Sequence, residues 1–380
     1  MKKLGIYVHV PFCRRKCNYC DFYSIKWKEE TENKYIESII NEIKSYGDFL
    51  QSKYIVDTIY FGGGTPSILD PNNISKIIDT INDEFEVDKD SEISMEANPK
   101  TLTSHNLLSY KKIGINRLSI GIQSLNDEIL KDIGRLHNSN EAIEAIKLAF
   151  NHGFHNINAD VMFNIPKQTV EDIEDTLIKI IREGVKHISY YSLKLEKGTP
   201  MYLLEKNNKL IMPDEDDERN MYYAGRIVME KNNLMQYEIS NFAYSGYECK
   251  HNLKYWEQDE YLGFGPSAHS FLNNKRYSNP SDIFNFCKEA NNNCFNRNIH
   301  EVLSFDDLVF EYIMLNLRLT KGMNINKFNE KFSLDFKIKY KKQIEYLNKN
   351  KLVELDDKSI KLTNKGMDLS NYVFQQFMEK

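Results

Sequence analysis

Three cysteines, Cys13, Cys17 and Cys20, stand in a C-x3-C-x2-C array directly after a short apolar run near the start of the chain. Thiolates so close in sequence can converge on one soft metal centre, and thiolate is the usual protein ligand of an iron–sulfur cluster. The number says more than the spacing. A structural zinc site calls for a fourth Cys or His nearby, and a four-iron cluster held by protein alone calls for a fourth Cys. The next residue in reach, Phe22, can ligate nothing. Three thiolates on a four-iron cluster leave one iron open, and an open position is how a metal site acts on a bound molecule. The plainer readings are buried core cysteines, or zinc completed by a distant His such as His9. Arg14, Arg15, Lys16 and Asn18 between the cysteines do not read as core.

A loop of this kind needs a scaffold, and the first 240 residues supply alternating strand and helix signals, the mark of parallel β/α units. Strands are predicted at Ile6–Val10, Val56–Phe61, Glu92–Ala97, Arg117–Ile122, Asn156–Met162 and His187–Leu193. Between them lie helical patterns such as Glu29–Tyr46, with Tyr35, Ile36, Ile39, Ile40 and Ile43 at helical spacing. Six units fall short of the usual eight, so the expected fold is α/β, an open, partial (β/α)6 TIM-like barrel. In such folds function gathers after the carboxyl ends of the strands. Those positions carry the cysteines, then Gly62-Gly63-Gly64-Thr65-Pro66, then Glu96, then Ser119-Ile-Gly121-Ile-Gln123, and Asp160 within the fifth strand. Glycines let backbone approach a ligand, or simply make a tight turn. Glu96 and Asp160 suit a cation, an amine or ribose hydroxyls, or else a helix cap or buried ion pair. Arg135 can pair with a carboxylate, or serve as a solvated helix-end charge.

Bulk properties narrow the classes. The 380 residues leave room for a large domain and a smaller one, and 28% charged with 41% hydrophobic residues is ordinary for a soluble protein. A net charge of −5 speaks against general nucleic-acid binding. Six cysteines, three of them in one ligand-like array, suit a reducing cytosol better than a disulfide framework. The run after Met1-Lys2-Lys3 is too short for a signal peptide, and no stretch approaches a transmembrane length. The expected location is the cytoplasm.

Taken together, Tyr7 to about Leu193 resembles the radical S-adenosylmethionine (SAM) core of the oxygen-independent coproporphyrinogen III oxidase family, the C-x3-C-x2-C array with Tyr19 before its last Cys being the signature. The resemblance implies that Cys13, Cys17 and Cys20 ligate a [4Fe–4S] cluster. It also implies that Tyr7, Tyr19, Gly63, Gly64, Thr65, Glu96, Gln123, Arg135 and Asp160 line the SAM site. In that family the open iron binds SAM, and one-electron reduction yields methionine and a 5′-deoxyadenosyl radical. One loop departs from the pattern: the usual Gly-Leu-Pro-Gly-Gln-Thr stands here as Asn164-Ile-Pro-Lys167-Gln-Thr.

The branch is read from other positions. Decarboxylating oxidases of the family carry a further Cys where this chain has Phe22, and a long extension before the cluster where this chain begins a few residues ahead of its first strand. The pattern resembles the HemW branch, the heme chaperones. His251-Asn-x-x-Tyr255-Trp256 matches the motif associated with heme binding there, and imidazole with flanking aromatics suits a flat apolar ring. A hydrogen-bonded structural His beside core aromatics is the other reading. His251 is therefore the expected heme ligand, with His269 and Cys249 as nearby alternatives. Cys287 and Cys294 match no role. The resemblance implies heme as cargo, acceptor proteins such as respiratory enzymes as partners, and transient membrane association without stable insertion. The alternative is the oxidase itself, oxidative decarboxylation of coproporphyrinogen III. Domain boundaries are expected at 1–240 for the barrel, 241–300 for a connecting region with the heme motif, and 301–380 for a winged-helix-like tail that covers the barrel mouth.

Overall fold

A computed structural model describes residues 1–292, 295 and 297–378. Six parallel strands, β1 (Lys2–Val10), β2 (Tyr54–Gly63), β3 (Glu86–Ala97), β4 (Arg117–Gln123), β5 (Ile157–Phe163) and β6 (His187–Ser192), pair in chain order. Helices α1 (Glu29–Leu50), α2 (Pro71–Glu84), α3 (Ser104–Lys112), α4 (Asp127–Asp132), α5 (Ser139–Asn151) and α6 (Val170–Arg182) connect them. This is the expected partial (β/α)6 barrel. Its helix boundaries follow local chemistry: Asn138 with Glu141 and Thr169 with Asp172 form capping boxes at the starts of α5 and α6. Tyr35, Ile36, Ile39 and Ile43 of α1 are all buried in the main core, the face their spacing marks out.

The sheet extends at both edges. After α7 (Pro200–Lys206) and α8 (Glu215–Lys231), strands β7 (Met235–Glu238) and β8 (Asn241–Ala243) form a hairpin antiparallel to β6. The sequence reads Tyr237–Ala243 as one strand; the chain instead turns at Ile239-Ser240, where the Asn241 amide donates to the Glu238 carboxylate. At the other edge β9 (Tyr261–Phe264) lies parallel to β1, followed by β10 (His269–Leu272), β11 (Lys275–Ser278) and β12 (Asn298–Val302). The stretch 241–300 thus adds strands to the same twelve-stranded sheet, whose outer strands β12 and β7 stay unpaired with each other. The barrel is open.

The parallel strands alternate in a particular way. Leu4, Ile6, Val8, Ile59, Phe61, Leu118 and Ile120 face the helices and form the core. The residues between them, Thr58, Tyr60, Glu92, Glu96, Arg117, Ser119, Asn158, Asp160 and His187, face inward; Tyr60 bonds Glu96, Ser119 bonds Asp160 and His187 bonds Asn158 across strands. A side chain every second residue on one face is what β geometry dictates. The lumen is therefore polar rather than filled with packed aliphatics.

Beyond residue 303 a second core gathers Val309, Ile313, Phe328, Phe336 and Leu347. Helix Phe305–Asn316 and further short helices surround a three-stranded sheet of Met323–Asn324, Ser359–Leu362 and Val353–Leu355, as a winged helix would. This tail does not cover the barrel mouth. It packs at the opposite end and flank: Gln258 donates to the Leu308 carbonyl, Lys321 pairs with Glu257, the Arg318 guanidinium sits 4.6 Å from the Trp256 ring centre, and Tyr223 of α8 donates to Asp368. No helix among the described residues is long and apolar enough to cross a membrane. Cys287 is half-buried against the main core, and Cys294 lies outside the described residues.

Candidate functional site

The cysteines sit where β1 leaves the sheet, at the mouth of the barrel. Cys13, Cys17 and Cys20 are half-buried and free. Their loop is pinned on several sides. Asn18 N donates to the Ile133 carbonyl at 3.0 Å, its side-chain amide to the Asp132 carbonyl at 2.9 Å, and its own carbonyl accepts from Met201 N at 3.0 Å. The cysteine thiols meet two groups from other strand ends: the Cys13 sulfur lies 3.6 Å from the Thr65 hydroxyl, and Arg135 Nη1 lies 3.6 Å from the Cys17 sulfur. Arg135 also donates to the Gly121 carbonyl, while its Nε is buried without a protein partner. Among the described residues no group of three His, Cys, Asp or Glu side chains is set to hold a single metal ion.

The residues named from the resemblance converge here. Glu96 accepts from Tyr60 OH and Gly63 N, both at 3.1 Å, and is pushed up to about 8, first by burial and then by the charge of Asp160. Asp160 is also raised by burial, against hydrogen bonds from Asn158 and Ser119. Gln123, with φ of 70°, accepts from Tyr191 OH at 3.0 Å. Tyr7 OH bonds His9 Nδ1, and His9 Nε2 meets the Tyr23 carbonyl at 3.0 Å. His9 therefore links β1 to the cysteine loop and has no free ring nitrogen. Packing explains two of the glycines. Gly63 has φ of +108° and a Cβ there would lie 2.6 Å from the His9 ring; one at Gly64 would lie 2.6 Å from the Phe12 carbonyl. Phe22 is 63% exposed, so it is no packing residue.

Tyr60, Tyr191 and Asn158 bond within this group and the sequence reading misses them. Their signal was the inward parity of each strand, legible once Glu96 and Asp160 are taken as inward-facing.

His251 lies elsewhere. Helix α9 (Lys250–Trp256) enters the barrel from the end opposite the cysteines, and Glu92 of β3 accepts from Lys250 N at 3.0 Å and His251 N at 3.3 Å. Its N-cap, Cys249, makes no side-chain cap, so this carboxylate supplies the acceptor that the first-turn N–H groups need. His251 is 1% exposed, with Nδ1 at 2.8 Å from Thr58 Oγ1 and Nε2 at 2.8 Å from Tyr255 OH. Its ring stacks on Tyr60 at 5.2 Å, and burial lowers it to about 3. Both ring nitrogens are engaged, so neither is free to act as a ligand while these two hydrogen bonds hold. Cys249 is fully buried beside Glu92. Of the three sequence candidates only His269 is exposed, stacked at 5.4 Å on His300.

The Radical SAM superfamily model matches residues 7–180, and the HemN C-terminal domain model matches residues 303–369. The chain is 34% identical to the heme chaperone HemW of Lactococcus lactis, covering 99% of this chain and 98% of that one. It is 33% identical to the heme chaperone HemW of Bacillus subtilis, covering 98% of each. Among solved structures, coproporphyrinogen III oxidase (HemN) from Escherichia coli, a radical SAM enzyme, superposes with a TM-score of 0.85 at 21% identity, over 99% of this chain and 90% of that one. That last likeness is one of fold.

Proposed function

Because the chain belongs to the HemW family of heme chaperones, within the radical SAM superfamily, we propose that it binds heme and hands it to acceptor proteins, with a [4Fe–4S] cluster and SAM held at the barrel mouth. The observation that carries the reading is the end-to-end relationship to HemW in a chain whose three half-buried thiols stand at the rim of a polar lumen. The mouth suits those cofactors. Soft thiolates are iron–sulfur ligands, and Arg135 Nε, buried without a protein partner, suits a bound acceptor.

In this reading Cys13, Cys17 and Cys20 hold the cluster, and Tyr7, Tyr19, Gly63, Gly64, Thr65, Glu96, Gln123, Arg135 and Asp160 surround SAM. Cluster and SAM, when bound, supply one-electron chemistry. The chain does the rest. Arg135 places its guanidinium 3.6 Å from the Cys17 sulfur, where it fixes one side of the cysteine loop. Glu96 and Asp160 offer two buried acceptors, and a cation arriving there favours their ionised forms. Asn18 fixes the loop to α4 and α7 so that the thiols hold their places. Respiratory enzymes are the proposed acceptors and the cytoplasm the proposed compartment.

The test is anaerobic reconstitution with iron and sulfide, then heme titration. About four irons and one heme per chain support the reading. A chain that takes up no heme, yet converts coproporphyrinogen III to protoporphyrinogen IX with SAM and a reductant, is the oxidase instead.

A further inference from the structure

We propose that the basic face around the cysteine loop is a docking site for a small acidic one-electron carrier protein, which delivers an electron to the cluster; the inference rests on the cluster part of the reading above. The array itself supplies much of the charge. Arg14, Arg15 and Lys16 fill the gap between Cys13 and Cys17, and all three are exposed. Folding adds two more cations. The short strands Phe12–Cys13 and Ile25–Lys26 pair in parallel, and Trp27 N donates to the Cys13 carbonyl at 3.0 Å, which sets the exposed Lys26 beside the first cysteine. Lys131, exposed on α4, shares with Arg15 a cavity of about 580 Å³ that reaches Arg135.

None of these five cations forms an ion pair among the described residues; Lys16 donates instead to the Phe22 carbonyl at 3.0 Å. Two acids of the cavity are engaged elsewhere, Glu141 with Lys100 and Asp127 with Ser139 N. The stretch from Arg14 to Lys26 contains one carboxylate, Asp21. In a chain of net charge −5 this face is a local reversal of sign, and such a field draws an oppositely charged partner and speeds its arrival. An exposed ring accompanies the charge: Phe22, two residues after Cys20, is 63% exposed. An aromatic side chain among arginines is the composition of a protein-binding surface.

Position names the partner. The half-buried thiols stand in the same loop, so a protein seated here approaches what they ligate, and the cluster chemistry consumes one electron. The other cysteines, Cys249, Cys287 and Cys294, are scattered and form no second array from which that electron could come. In the transfer one electron leaves the carrier's reduced centre and enters the cluster; no bond forms or breaks. An anionic membrane is the other surface that basic and aromatic groups can meet. Glu29 and Glu30 lie exposed just past Trp27, and a uniformly negative plane repels them, whereas a protein of matched pattern does not.

The experiment mixes the iron-reconstituted chain with a photoreduced acidic [2Fe–2S] ferredoxin as the carrier. Binding is measured by calorimetry and electron transfer by stopped-flow absorbance, at low and high salt. Wild type is compared with Arg14→Glu/Arg15→Glu, Lys26→Glu/Lys131→Glu and Phe22→Ser. Iron content and melting temperature check assembly, and dithionite reports how readily the cluster is reduced without docking. The expected result is ferredoxin binding and transfer weakened about tenfold or more in each variant, a wild-type rate that falls with salt, and one dithionite rate for all four chains. Variants that bind ferredoxin and take its electron as wild type does overturn the docking face. A dithionite rate that falls in step with the ferredoxin rate in all three variants overturns it too, because the substitutions then act on the cluster. Wild type that binds phosphatidylglycerol vesicles but no ferredoxin overturns the carrier in favour of a lipid surface. A chain that takes up no iron overturns the cluster reading instead, whereas one that loads iron and heme yet accepts no electron from ferredoxin overturns this inference alone.

Discussion

Single residues at the mouth and the floor titrate in opposite senses, and each makes a prediction. Glu96, raised to about 8, holds its proton at neutral pH in the free chain. Binding of SAM, which brings positive charge, is expected to release up to about one proton near pH 7. Calorimetry in buffers of different ionisation enthalpy measures that release, and Glu96→Gln abolishes it. His251 behaves the other way. Its folded value, about 3, lies below the ordinary 6.5. Between those values the unfolded state takes up a proton that the folded state refuses, so stability is present above 6.5 and is lost as pH falls toward 3. His251→Ala lowers stability at pH 7 and flattens this loss, by up to about 1.4 kcal/mol per pH unit, in denaturant titrations between pH 6 and 4. At the cluster, Cys17→Ser removes one thiolate of three. The expected outcome is iron content after reconstitution falling well below that of wild type while the melting temperature of the apo chain stays within a few degrees.

At the scale of elements, the strands and helices of the first 200 residues were legible because their apolar spacing is regular and their caps are local. The hairpin at Ile239-Ser240 was not, since a run such as Tyr237–Ala243 looks like one strand until its pairing partners are known. The His251 motif shows the same limit more sharply. His, Tyr and Trp at that spacing read equally as a ring-binding face or as a helix that plugs a barrel, and only the partners Thr58, Glu92 and Arg318 distinguish them. The plug hangs on Glu92. Glu92→Ala deprives the Lys250 and His251 N–H groups of their charged acceptor and removes one negative charge near the buried Arg117. A loss of roughly 3 kcal/mol is expected in chemical denaturation, with local exposure of α9 in hydrogen exchange. Unchanged protection of α9 contradicts the capping role.

For the whole molecule, the division of labour is spatial. The open sheet presents the thiols, Glu96, Gln123 and Arg135 at one end, while α9 and the winged-helix-like tail close the other. The sequence located the residues of the mouth because strand ends in β/α folds are where such groups collect. It misplaced the tail, because nothing in an amphipathic helix says which end of a barrel it will meet. The central claim is that heme taken up by this chain moves on to another protein. The most direct measurement loads the cluster-reconstituted chain with one equivalent of heme and mixes it with an apo heme protein, such as an apo-cytochrome. Transfer is followed by the acceptor's absorbance and regained activity. The expected result is acceptor loading faster than from free heme under the same conditions. Heme that stays bound indefinitely, or decarboxylation of coproporphyrinogen III by a chain that binds no heme, contradicts it.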